Sequence, residues 1–182
     1  MWQDWRRCPG SVAGPRPLRP RGAPAGRDYQ RARFYRWEQE HVLRHHATPL
    51  SLAACRALVE TAYRWLEPEA ARLPGWRPPL VGDGRGRRHA CGSREVIKLP
   101  RWARTAPIVL HECAHGVTPD KHGPRFVRVY VDLLVQFLGL APVPLLASLG
   151  EAGIDVAVPL RCGISGNGAG GNGRGRGRKA AS

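Results

Sequence analysis

Residues 109–126 read VLHECAHGVTPDKHGPRF and hold three of the chain's seven histidines. Two of them bracket a glutamate, in the order His111-Glu112-x-x-His115. Side chains four apart on a helix share one face, so His111 and His115 can turn their imidazoles to the same tetrahedral ion. Glu112 sits beside the first of them, where its carboxylate can reach a water at that ion without taking a ligand position. Metal-assisted hydrolysis needs this set: an ion that acidifies water, and a base that removes the proton. The plainer reading is a buried helix that contains histidine by accident. Such a helix must still find partners for two imidazoles and a carboxylate in an apolar setting, and a zinc ion supplies them directly.

A catalytic zinc takes three protein ligands and keeps one position open. His122 is the best candidate for the third, after a polar turn, VTPDK, that can bring the chain back. Asp120 is the main rival, with Glu151 and Asp132 behind it. Asp120 also reads as a turn residue bonding its own backbone, or as a proton acceptor for a ligand histidine. An oxyanion stabiliser is needed too, and Tyr130 and Arg104 are the polar candidates.

The elements that must position these residues follow from apolar spacing and punctuation. Thr105 and Pro107 open a helix carrying Ile108, Val109, Leu110 and Ala114, and Gly116 is expected to end it as a left-handed cap. Gly123 and Pro124 open the next helix, so His122 stands at a helix entry. That helix has one apolar stripe, Phe126, Val127, Tyr130, Leu133, Leu134, Phe137 and Leu138, and Gly139 ends it. A shorter helix follows near 142–150.

Upstream, Asp28 can cap a helix to about His45, with Tyr29, Ala32, Phe34 and Trp37 as apolar contacts. His41, His45 and His46 fall near its end and read as surface residues. Ser51 caps a clearer helix, with Leu52, Cys55, Leu58, Val59, Ala62, Trp65 and Leu66 at spacings of three and four, which Pro68 stops. Between 75 and 100 the chain reads as strands and turns. GDGRG is a turn, and no Gly-Lys-Ser/Thr follows it to cradle a phosphate. EVIKL is a strand closed by Pro100, and an exposed edge there would accept an extended peptide. His89 and Cys91 read as strand residues, not ligands.

At 182 residues the chain is long enough for one domain with a real core, and 27–162 is expected to be that domain. Residues 1–26, rich in Arg and Pro, and 163–182, rich in Gly and Arg, read as disordered tails. The net charge is +15, with 26 of the 29 basic residues being Arg. Each tail carries +4 and the middle +7, so the tails can grip phosphate backbones without reading sequence. High-GC coding explains the arginine bias equally well. Five scattered cysteines (8, 55, 91, 113, 162) form no C-x-x-C pair, which argues against a disulfide framework and fits a reducing cytoplasm. No 18-residue apolar run and no secretory h-region are present, so no membrane partner is expected.

RDYQRARFYRWE, LPRWAR, VLHECAH and HGPRFV occur in this order. Together they resemble an actinobacterial family of zinc metallohydrolases that looks like a small relative of SprT-like zincins. The resemblance covers roughly residues 27–140. It implies metal ligands at His111, His115 and His122, a catalytic base at Glu112, and a compact zincin fold with helices packed on a small sheet. SprT-like proteins act on DNA-associated proteins, with the third histidine at a different spacing.

These readings converge on an α+β, zincin-like metallopeptidase domain. The expected function is a cytoplasmic, Zn2+-dependent hydrolase of protein or peptide substrates. The alternative is a non-enzymatic, zinc-stabilised nucleic-acid-binding protein that uses its basic tails.

Overall fold

The computed structural model describes residues 28–70 and 77–158. The expectations for 1–26 and 163–182, and for Cys8 and Cys162, lie outside the described residues. Among the described residues, five α-helices and one three-stranded sheet make a mixed α+β unit. In chain order the elements are α1 (Arg31–Glu38), α2 (Leu52–Ala70), β1 (Leu80–Asp83), β2 (Cys91–Gly92), β3 (Val96–Leu99), α3 (Ala106–Val117), α4 (Pro124–Leu138) and α5 (Pro142–Glu151). A π-helical turn, Gln39–Leu43, extends α1, and a 3-10 turn, Arg101–Ala103, leads into α3. No helix among the described residues is long and apolar enough to cross a membrane.

Several of these elements follow from local chemistry. The Ser51 Oγ accepts the Ala54 N–H at 3.0 Å and starts α2. Pro124 opens α4 at a position whose missing N–H has no intrahelical partner to lose. Phe126, Val127, Tyr130, Leu133 and Leu134 are all fully buried along its stripe. Full burial of such a side chain is worth roughly 1.5–3 kcal/mol, so this one face anchors much of the core. Gly139 then ends α4 in the left-handed region, at φ 66°.

Four expectations need correcting. Gly116 is not a left-handed cap: α3 runs past it to Val117 and ends on an extended Thr118. Its lack of a side chain serves packing instead, since a Cβ there would lie 2.0 Å from the Tyr63 hydroxyl of α2. Pro68 does not stop α2, which continues to Ala70. It falls in the last turn, where it gives up one backbone hydrogen bond and only two residues of the helix follow it. Ala32 is exposed, because the buried face of α1 is Phe34, Trp37 and Glu38.

The fourth correction concerns the sheet. β3 is not an edge but the central strand of the order β1-β3-β2. It pairs parallel with β1, from Leu80 opposite Val96 to Asp83 opposite Leu99, and antiparallel with β2, at Cys91–Lys98 and Gly92–Ile97. The short strand β2 is therefore the edge that lies against α3. It can lie so close because residue 92 is glycine: a Cβ there would stand 2.5 Å from the Glu112 carbonyl oxygen and 2.7 Å from its carboxylate.

Candidate metal centre

His111, His115 and His122 come together at the junction of α3, the turn after it and the start of α4. Their ligand-capable nitrogens all lie within 4.8 Å of one another, the one such three-residue cluster among the described residues. His111 and His115 are one helical turn apart, and their Nε2 atoms are 3.1 Å apart. His122 arrives from the turn, where Lys121 takes a left-handed φ of 56°. That kink points the chain back at α3 and leaves His122 fully buried.

A group of oriented carboxylates stands behind the imidazoles. Glu38, at the end of α1, accepts a hydrogen bond from His111 Nδ1 at 2.8 Å. Asp28 accepts from His122 Nδ1, at 3.0 and 3.1 Å to its two oxygens. These bonds fix the ring orientations and leave Nε2 of each histidine for a metal. Gln30, fully buried, ties the same segment down: its Nε2 donates to the His122 carbonyl at 2.8 Å and to the Asp155 carbonyl at 3.1 Å.

Asp120 does other work. Its carboxylate accepts the backbone N–H of Arg125 at 2.8 Å and of Phe126 at 3.1 Å, capping the first turn of α4. The remaining rivals are not at the centre either. Asp132 is paired with Arg128 on α4, and Glu151 is exposed at the end of α5. Cys113 is buried in the core, Cys91 lies in β2, and His89 precedes that strand.

The donor set fits a metal ion. A tetrahedral zinc with bonds of 2.0–2.1 Å separates its ligand atoms by about 3.3 Å, close to the 3.1 Å between the first two nitrogens. Three neutral imidazole nitrogens backed by carboxylates suit zinc, and suit copper, nickel or iron as well.

Burial dominates the electrostatics. It pushes the His115 imidazole far down, helped by positive charge on His111 and His122. It also lowers His122, against the hydrogen bond that His122 donates to Asp28. Burial would lower His111 too, but the charge and hydrogen bond of Glu38, with Glu112 adding, outweigh it and raise the group. Burial raises Glu112 to about 7, opposed by His111 and by the Gly92 N–H, and reinforced by Glu38.

Two expected results arise here. Glu38→Gln should lower zinc affinity 10–100-fold, and Asp28→Asn by less, because Glu38 is the more deeply buried carboxylate. Competition against a chromophoric chelator measures both, and affinities within twofold of wild type would show that neither carboxylate matters to the metal. The second concerns protons. His115 and His122 have lowered pKa values, whereas raised His111 keeps its proton to higher pH than an ordinary imidazole, and a metal must displace it. Zinc binding should thus release protons and tighten as pH rises. Calorimetry in buffers of different ionisation enthalpy reads this directly, and identical apparent enthalpies would rule it out.

Sequence reasoning missed Asp28 and Glu38 as partners of the histidines. Asp28 reads as a helix cap, yet the residue at the α1 cap is Gln30. Glu38 did carry a signal: it is a charged residue on the same helical face as Phe34 and Trp37. Neither oxyanion candidate is open to a substrate: Tyr130 is fully buried, its ring 5.6 Å from that of His111, and Arg104 binds Asp83 at 2.8 Å and the Leu99 carbonyl at 3.2 Å. Compared with protein-family models, with curated proteins and with solved structures, the chain finds no match.

Proposed function

We propose that this protein is a zinc-dependent hydrolase of the zincin type, acting on peptide bonds. The observation that carries the reading is the placing of Glu112. Its carboxylate belongs to the helix that supplies two of the three histidines, and it lies against the edge strand β2. A metal held only to brace the fold has no use for a carboxylate at this point.

His111, His115 and His122 would hold the ion. When bound, zinc supplies Lewis acidity, which acidifies a water and polarises a carbonyl. The protein's own residues do the rest. Glu112 takes the proton from the attacking water and hands it to the leaving amine. With its pKa raised to about 7 by burial, it is a stronger base than an ordinary carboxylate. Glu38 and Asp28 keep the imidazoles in place throughout. Phe34, which packs on the rings of His111 and His122, and Phe126, stacked on His115 at 4.4 Å, keep water from the back of the site. The likeness of the four sequence blocks to zinc metallohydrolases supports the same reading. The nucleic-acid alternative draws on basic tails that lie outside the described residues.

The test is direct. Protein purified without chelators should hold about one zinc per chain. It should cleave a denatured protein such as casein, lose that activity to a chelator and regain it with zinc. Absence of bound metal and of any metal-restored cleavage would overturn the proposal.

A further inference from the structure

We propose that Tyr35 is the hydrogen-bond donor that steadies the negative charge developing on the substrate's carbonyl oxygen. The proposal rests on the hydrolase reading and deepens it. Acyl transfer needs a fixed donor aimed at the place where charge develops. Tyr130 is fully buried, and Arg104 is engaged by Asp83, as described above.

The face of α1 that meets the histidines carries Phe34, Tyr35 and Glu38. Phe34 is wholly buried and apolar, and Glu38 is buried against His111. Tyr35 alone of the three remains partly exposed, so it stands at the rim. Its ring lies nearly parallel to that of His111, with centroids 5.9 Å apart and planes 9° apart. It meets the His122 ring edge-on at 4.8 Å. The phenol is thus held against two of the three histidines while remaining partly exposed. Arg31, 5.8 Å from the ring centre, packs over the ring and restrains it from outside. A partly exposed phenol whose ring is fixed against two of the three histidines is placed to offer its O–H to a carbonyl oxygen bound there.

Tyr35→Phe keeps the ring and removes only the hydroxyl. The experiment compares it with wild type, with Tyr35→His as a variant that restores a donor. Zinc content and melting temperature should not change. Turnover of fluorogenic casein should fall 10²–10³-fold in kcat with KM little altered. Independently of turnover, cobalt-substituted protein is titrated with an N-phosphoryl dipeptide, a tetrahedral anion, and with a simple thiol, both followed by the visible spectrum. Tyr35→Phe should weaken the phosphoryl ligand at least tenfold and leave the thiol unchanged, and Tyr35→His should recover part of the loss. Equal weakening of both ligands would mean that Tyr35 only shapes the metal site, and unchanged binding of the phosphoryl ligand would overturn the proposal. Should Glu112→Gln also turn over casein at the wild-type rate, the hydrolase reading itself fails. An inactive Glu112→Gln beside a fully active Tyr35→Phe removes only the role of Tyr35.

Discussion

His111→Ala, His115→Ala and His122→Ala are each expected to lose metal, and to lose it by far more than any change behind the ligands. An outer partner of a ligand histidine is worth roughly 10–100-fold in affinity, and a lost ligand must exceed that because a metal–nitrogen bond disappears. The structure supplies a sharp control. Asp120 is two residues from His122, but its carboxylate caps α4 through Arg125 and Phe126. Asp120→Ala should therefore leave zinc affinity within a few-fold of wild type. It should instead cost about 0.5–2 kcal/mol of stability, as the loss of a helix cap does. Metal titration and thermal melting on the same samples separate the two effects. His122→Ala should show the metal defect at its largest in the titration. If Asp120→Ala loses more metal than His122→Ala, the third ligand has been assigned to the wrong residue. The metal-bound wild type should also melt higher than its metal-free form, a gain that each histidine variant forfeits.

What could be read from the sequence divides along physical lines. The stripe of α4, the start of α2 at Ser51 and the closure of β3 at Pro100 are local, and periodicity or capping chemistry marks each one. The pairing of His111 with His115 is local too, because helical pitch alone puts them on one face. The order of the sheet was not legible. β1 and β3 are joined through β2, so the strand that reads as an exposed edge ends up in the centre. Pairing of this kind depends on which hydrophobic face finds which, and no local residue announces it.

The carboxylates behind the metal centre were hidden for a related reason. Glu38 reaches His111 across 73 residues, and Asp28 reaches His122 across 94. Asp28 is unremarkable near a helix start, and Glu38, though a charge on the buried face of its helix, does not announce its partner. Gly92 and Gly116 show the same limit. Gly116 reads as a cap, yet the structure uses both glycines for close approach, of β2 to Glu112 and of Tyr63 to α3. The motif itself stands out because its parts are adjacent in sequence, whereas the residues that tune it are brought in by packing.

Glu112→Gln is expected to keep the fold and the zinc while losing hydrolysis. The amide has nearly the shape of the carboxylate, so the contact with Gly92 on β2 survives. Replacing a buried, ionisable group by a neutral one removes the cost of burying its charge. Burial raises the folded-state pKa of Glu112 above its unfolded value of 4.5 to about 7. In the metal-free protein this makes the wild type lose stability as pH rises from the unfolded value through about 7, because the folded state binds the proton more tightly. Metal-free Glu112→Gln should lack that loss, and so should be the more stable protein at pH 8 though not at pH 4. The catalytic effect runs the other way. An amide cannot take a proton from water at neutral pH, and general-base catalysis is worth on the order of 10²–10⁴-fold. Casein turnover should therefore fall by that factor with one zinc still bound. A zinc-loaded Glu112→Gln protein that cleaves at the wild-type rate would leave the histidines as a metal staple and remove Glu112 from the reaction.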